Sequence, residues 1–128
     1  MKKLIAPLPL ILAMTCASAG DVYTEGKTAP LSGKVVMADA PAPLDESRHP
    51  KRVRFPALEI DQPFDLVSPD NSRVHSSRLV QLGASEEGQY ERIKSKIGRT
   101  IKIRCNLEPA TTAYHHTPVF CFVNDDNI

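Results

Sequence analysis

Two short segments near the end of the chain constrain the fold most, because both alternate apolar and polar residues. In the segment 100–107 the apolar residues occupy positions 101, 103, 105 and 107, which is the pattern of a strand with one buried face. Residues 119–123 repeat this alternation after a turn-like segment that contains two prolines. We therefore predict two antiparallel strands joined by that turn.

The first 19 residues have the composition of an export signal. Lys2 and Lys3 precede an apolar run at 4–16, and Ala17-Ser-Ala19 supplies the small residues of a cleavage site. The apolar run is too short to span a membrane. The residues before Cys16 are not of the Leu-Ala-Gly type that lipoprotein signals use, which disfavours a lipid anchor. We predict a signal peptide at 1–19 and a periplasmic or secreted bacterial protein without a membrane anchor.

Cleavage after residue 19 leaves 109 of the 128 residues, enough for one small domain. Because Lys2 and Lys3 leave with the signal, acidic residues then outnumber basic ones by one, and the net charge does not favour nucleic acid or an anionic surface. The local basic cluster at 48–54 could be an anion patch. It has no interleaved aromatic residue for base stacking, so we interpret it as a solvated strand edge.

Export leaves Cys105 and Cys121 as the remaining cysteines. An even pair in an oxidising compartment predicts one disulfide, and both cysteines lie on the apolar side of their predicted strands. A closed loop of this length would stabilise the fold by roughly 3 kcal/mol. The register that joins the cysteines would turn Phe120 and Phe122 outward, to line the outer surface or a partner contact.

The remaining chain predicts a mainly β fold. We expect a flexible leader at 20–30 and a single domain at 31–128, with its elements in a fixed order. The predicted strands are 31–37, 53–60, 79–82, 100–107 and 119–123, with a short extra strand around Phe64 and Leu66. Three main strands, a helix and two more strands match the order of an OB-like five-stranded barrel with its helix between strands 3 and 4. An SH3-like barrel or a small α+β sheet would use nearly the same elements.

The segment 85–97 is the predicted helix. Ser85 can cap its start and Gly98 can end it. Tyr90, Ile93 and Ile97 form one narrow apolar stripe, which we expect to dock on the sheet.

His115-His-Thr-Pro118 is the sharpest polar feature of the chain. Adjacent residues of an extended chain point in opposite directions, so the two histidines are poorly placed to bind one metal. Oxidised cysteines could not complete such a site. We predict no metal and no cofactor, and a histidine hydrogen-bonded to the loop backbone. Asp61 and Asp65 could form a carboxylate pair, but their spacing around Pro63 favours strand ends.

The same region resembles the signature of a family of small exported bacterial domains of unknown function. The resemblance is carried by Gly98, Ile101, Ile103, Leu107, Ala110, Thr112 and residues 115–119, and the segment 57–63 is similar to the family's Leu-x-Leu-Asp-x-Pro stretch. Cys105 stands where the family has a second glycine, and Cys121 replaces an aliphatic residue. These two departures agree with a disulfide. The resemblance implies a type of domain and not a reaction.

The sequence favours a protein that is not an enzyme, since it has no nucleophile elbow, phosphate loop, dinucleotide fingerprint or H-E-x-x-H helix. We hypothesise a binding module for an unknown protein or small molecule, and not for nucleic acid. Its expected contact residues are Thr112, Tyr114, His115, His116 and Thr117. The alternative is a proteinaceous inhibitor or immunity protein against a cell-wall-active or toxin enzyme. A hydrolase or metal-dependent enzyme is a third reading that the adjacent histidines invite.

Overall fold

The computed structural model describes residues 21–41, 52–125 and 128. The predicted signal peptide and most of the basic cluster lie outside these residues. Within them the chain forms β1 (Val22–Thr24), β2 (Thr28–Pro41), β3 (Arg52–Glu59), β4 (Asp65–Val67), β5 (Arg73–His75), β6 (Leu79–Gly83), α1 (Glu87–Ser95), β7 (Thr100–Pro109) and β8 (Val119–Val123). The expectation of a mainly β protein with one helix is confirmed for the described part of the chain.

Five strands close into a ring. Their order is β2, β3, β6, β8 and β7, and β7 pairs back onto β2. All neighbouring strands are antiparallel except β6 and β8, which run parallel. The helix follows β6 and precedes β7, so it crosses over between two strands that are both neighbours of β8.

Strand β2 closes the ring because it is long enough to pair twice. Its first half pairs with β7 and its second half with β3, and the change of partner falls at Lys34. Gly33 lies at this crossing, where a Cβ atom would come closer than 3.0 Å to the backbone oxygen of Glu59. The absence of a side chain at Gly33 therefore lets the two neighbouring backbones approach each other.

A second sheet was not expected from the sequence. Its order is β1, β4 and β5, with β1 parallel to β4 and β5 antiparallel to it. This corrects the prediction of a flexible leader at 20–30, because β1 lies in that segment and β2 begins at Thr28. A strand of three residues is too short to show an alternation, and its order comes from hydrogen bonds to a distant part of the chain.

The interior of the ring holds the main core. The alternation predicted for β7 and β8 is confirmed, because Ile103, Cys105 and Leu107 are buried on one strand and Val119, Cys121 and Val123 on the other. The residues that join them in one buried cluster are Ala29, Leu31, Val35, Leu58, Ile60, Phe64, Leu66, Val80, Leu82, Ile93 and Ile128. The cluster includes Leu66 of β4, so the small sheet shares the core of the ring.

The disulfide between Cys105 and Cys121 is confirmed, with a Cα–Cα distance of 5.1 Å. Cys105 is the register partner of Val123, and Cys121 is the partner of Leu107. The bond therefore joins diagonal neighbours on the inner face of β7 and β8 rather than directly opposed residues.

Helix α1 is shorter than predicted and packs through fewer residues. Its N-cap is Glu86 rather than Ser85, and among the described residues no side chain caps its start. Ile93 is fully buried and Tyr90 is half-buried, but Ile97 is 41% exposed. After Ser95 the backbone bonds tighten to i→i+3, as in Ile97 N–H to Lys94 O. This tighter winding turns Ile97 away from the apolar stripe.

Candidate functional site

The outer face of the ring carries a second buried group that is separate from the core. Strand alternation directs Phe55 and Ala57 of β3 outward, opposite to Leu58, and directs Phe120 of β8 outward between its buried neighbours. All three are buried, although they do not belong to the core cluster. The segment 110–118, which connects β7 to β8, is what covers this face. We call it the β7–β8 loop.

Two histidine rings of the β7–β8 loop form the cover. His116 stacks on Phe55 with ring centroids 5.1 Å apart and 26° between the planes. His115 stacks on Phe120 at 4.5 Å and 26°. Phe120 in turn meets Phe122 edge-on at 5.0 Å. We call these five rings the aromatic layer.

Gly83 makes room for this layer. A Cβ atom at Gly83 would lie closer than 3.0 Å to the ring of Phe120, so the phenyl ring occupies the space that a side chain on β6 would need. The tip of the phenyl ring therefore lies over Gly83, and the ring stacks on His115.

Gln81 of β6 holds the backbone of the β7–β8 loop. Its side-chain oxygen accepts a hydrogen bond from the N–H of His116 at 2.7 Å. Its side-chain nitrogen donates to the carbonyl of Tyr114 at 3.1 Å. One amide side chain therefore satisfies two backbone groups of the loop, on either side of His115.

Thr117 fixes the end of the same loop. Its hydroxyl accepts a hydrogen bond from the N–H of Gln81 at 3.0 Å and donates one to the carbonyl of Val119 at 2.6 Å. Thr117 is buried. It is therefore part of the support of the loop and does not face solvent.

Local hydrogen bonds shape the first half of the β7–β8 loop. The hydroxyl of Thr112 accepts from the N–H of Tyr114 at 3.2 Å, and its carbonyl accepts from the N–H of His115 at 3.1 Å. The Nδ1 atom of His115 accepts from the N–H of Thr111 at 3.0 Å. A ring nitrogen that accepts carries no proton, so this bond places the proton of the neutral imidazole on Nε2. The predicted bond between a histidine and the loop backbone is thus confirmed.

Tyr114 is the exposed member of this arrangement. Its side chain is 73% exposed although its carbonyl and its N–H are both held by hydrogen bonds. Phe122, at the edge of the aromatic layer, is 37% exposed. Hydrogen bonds to its carbonyl and its N–H therefore hold the backbone of Tyr114 in place while its side chain faces solvent.

The five expected contact residues fall into different roles. Tyr114 faces solvent, His115 and His116 are half-buried in the aromatic layer, and Thr112 and Thr117 serve the loop backbone. Sequence reasoning missed the contribution of Gln81, which carries no local signal. Phe55 and Leu58 are both buried, but their odd separation on one strand puts them on opposite faces of the ring.

Other candidate groups of the sequence are held by ion pairs. Arg52 bonds Asp39 of β2 through two side-chain nitrogens, at 3.1 and 2.5 Å. The carboxylate of Asp65 accepts from His75 and, at 3.3 Å, from Arg73. Asp65 therefore makes its bonds within the small sheet rather than as one half of a pair with Asp61.

The described residues contain no group of three or more His, Cys, Asp or Glu side chains that could hold a metal ion. The two histidine rings stack on different phenyl rings, and both cysteines are bonded to each other. Within the same residues, the helix is too short and too polar to cross a membrane.

A family model described as a domain of unknown function, DUF4431, matches residues 79–126. The match begins at β6 and therefore includes Gln81, the helix and the entire β7–β8 loop. Phe55, which receives the ring of His116, lies outside the matched span. Neither the curated proteins nor the solved structures contain a match to this chain.

Proposed function

We propose that this protein is an exported, non-enzymatic binding module whose contact surface is built from the β7–β8 loop and the exposed edge of the aromatic layer. One observation carries the proposal: Tyr114 is 73% exposed on a loop whose backbone is held on both sides of it. Tyrosine gives a large contact area at a small loss of side-chain freedom, and such anchors dominate binding energies. A loop that is already ordered adds little further entropy loss on binding.

An OB-like barrel supports the same surface. The strand order of the ring, and a helix between its third and fourth strands, agree with that fold. OB-folds bind ligands on the face of strands 2 and 3 and with the loop between strands 4 and 5. In this chain the corresponding elements are β3, β6 and the β7–β8 loop, and β3 and the loop carry three of the five rings of the aromatic layer.

A protein partner fits this surface better than a small molecule or a nucleic acid. Tyr114 projects outward, whereas small ligands require a concave site, so a partner that brings its own cleft is the better match. Glu108 of β7 is the register partner of Phe120 and is exposed. A carboxylate beside the aromatic layer disfavours a polyanion.

The same rigid loop favours a second candidate function. A protruding aromatic side chain on an ordered loop can enter the substrate cleft of an enzyme, so the module could act as an inhibitor or immunity protein. Under this alternative the partner is a single enzyme, and its activity falls in proportion to the amount of complex.

Site-specific photocrosslinking in the native host tests the proposal. A benzophenone amino acid replaces Tyr114 in one variant and Ile97 in the control, because Ile97 is also exposed but lies after the helix. We expect one dominant protein adduct from position 114 that position 97 does not give. With the purified partner, Tyr114→Ala should raise Kd about thirtyfold or more, as for an interface anchor worth about 2 kcal/mol or more.

Two outcomes would count against this proposal. Identical adducts from both positions would mean that position 114 has no specific partner. An unchanged Kd for Tyr114→Ala would mean that the partner binds elsewhere. An activity assay on a partner that is an enzyme then distinguishes inhibition from simple binding.

A further inference from the structure

A cavity of about 240 Å³ lies between β1, the start of β2 and the connection from β3 to β4. Its floor contains the buried residues Leu31, Ile60 and Phe64. The ring of Tyr23 meets Phe64 edge-on at 5.1 Å, which holds the tyrosine side chain against this floor. No residue that lines the cavity belongs to the aromatic layer or to the β7–β8 loop.

Oxygen atoms border the cavity. Asp21 and Asp61 are exposed at its rim, and the hydroxyl of Tyr23 lies 3.4 Å from both Asp21 Oδ2 and the carbonyl of Pro30. The hydroxyl has one hydrogen to donate, so its oxygen can still accept a bond. Asp61 makes no hydrogen bond and no ion pair with any residue of the described part of the chain.

The apolar floor and the oxygen atoms at the rim match the two parts of an alkylammonium group. An ammonium group offers three N–H donors and no acceptor, which suits two carboxylates and a phenolic oxygen. A chain of four methylene groups would lie on the apolar floor, as lysine stems lie on apolar surface elsewhere. The volume is below the roughly 300–1,000 Å³ of sites for drug-sized ligands, so it suits one side chain.

We propose that this cavity binds the side chain of a lysine from a partner polypeptide. The surrounding fold gives that partner a way to approach. Strand β1 is at the edge of its sheet and, among the described strands of that sheet, pairs only with β4. Asp21 and Tyr23 both line the cavity, while Val22 between them is exposed on the other side. An extended segment laid along β1 would bring one of its side chains to the cavity.

Chemical-shift titration of the disulfide-bonded protein tests this site directly. The probe is Nα-acetyl-lysine methylamide. Its norleucine counterpart keeps the four side-chain carbons and carries a hydrogen atom in place of the ammonium group. We expect saturable shifts at Tyr23, Leu31 and Ile60 with the lysine probe, at a Kd on the order of millimolar. The norleucine probe should bind at least fivefold more weakly, and added salt should weaken only the lysine probe.

Two conservative variants keep the test independent of folding. Asp61→Asn removes one of the two carboxylates at the rim and should raise Kd for the lysine probe about twofold to fivefold. Tyr23→Phe keeps the ring against Phe64 and removes only the oxygen. Glu91→Gln on the exposed face of the helix removes the same charge at a residue that does not line the cavity and should leave Kd unchanged.

Equal binding of the lysine and norleucine probes would reject the cation site, as would an unchanged Kd for Asp61→Asn. Tighter binding of 1,5-diaminopentane than of the lysine probe would reject a polypeptide side chain as the occupant. The cavity shares no residue with the proposed contact surface, so Tyr114→Ala should leave this titration unaltered.

Discussion

At the level of single residues, the β7–β8 loop depends on polar groups that serve its backbone. Gln81 and Thr117 together satisfy four backbone groups. Gln81 lies on β6, which pairs with β8, and Thr117 lies at the end of the loop just before β8. The histidines contribute their flat rings and one acceptor nitrogen. The His-His-Thr-Pro run is therefore explained by the folding of the loop, and the exposed Tyr114 is what the folded loop presents.

Thr117→Val tests this division of roles. The valine has nearly the same shape but leaves the N–H of Gln81 and the carbonyl of Val119 without their partner, in a buried place. We expect a loss of about 1–3 kcal/mol in the free energy of unfolding, measured by urea denaturation. Thr112→Val is the matched control, because Thr112 is exposed and should change stability far less. Equal losses would mean that the Thr117 hydroxyl has no special part.

The hydroxyl of Tyr23 gives a prediction for the stability of the fold at alkaline pH. Burial, and next the carboxylate of Asp21, raise the pKa of the Tyr23 hydroxyl above the ordinary value of 10.0. A raised pKa means that the folded state holds the proton more tightly. The contribution of Tyr23 to stability is therefore complete below the unfolded pKa and is lost as pH rises through the folded pKa. Spectrophotometric titration should show a late ionisation that Tyr23→Phe removes. An unchanged curve in that variant would contradict the assignment.

At the level of secondary structure, the helix shows where sequence patterns are reliable. The apolar spacing of α1 predicted that Ile93 is buried, and it is. The same spacing placed Ile97 beside it, but the chain leaves helical geometry after Ser95. Gln89 was not expected in the interface, yet it is buried and donates to the carbonyl of Val123 at 3.2 Å. The spacing of apolar residues predicts which face of a regular helix is buried. It does not predict where the helical geometry changes.

Substitution of the two isoleucines separates these positions. Ile93→Ala should lower the free energy of unfolding by about 2–5 kcal/mol, because it leaves a cavity under a fully buried side chain. Ile97→Ala removes the same atoms from a residue that is 41% exposed, so the loss should be below about 1 kcal/mol. Chemical denaturation of both variants measures the difference. Similar losses would mean that the end of the helix packs on the ring.

For the whole molecule, the sequence predicted the five strands of the ring better than the contacts between them. Alternation located β7 and β8 because their two faces differ in polarity. It could not locate β1, which has three residues, or the outer aromatic layer, which buries Phe120 on the face that was expected to line the outer surface. That second buried face exists because the β7–β8 loop folds over it, and the loop is far in sequence from Phe55, on which His116 stacks. Contacts between segments that are far apart in the chain do not produce a periodic pattern of apolar residues in either segment.

The disulfide acts on the whole molecule because it ties two neighbouring strands of the ring across the β7–β8 loop. Cys105 and Cys121 are 16 residues apart, and closing a loop of that length stabilises a fold by about 3 kcal/mol, chiefly by restricting the unfolded chain. We expect the Cys105→Ala/Cys121→Ala variant to lose about that amount in urea denaturation. It should still fold, because β7 also pairs with β2 and β8 also pairs with β6.

A reductant gives the matched control for this last prediction. Dithiothreitol should lower the stability of the unsubstituted protein toward that of the double-alanine variant and should not change the variant itself. Amide signals of the β7–β8 loop should persist in the variant, because Gln81 and Thr117 hold the loop without help from the disulfide. Loss of those signals in an otherwise folded variant would mean that the disulfide, and not these two side chains, orders the surface that carries Tyr114.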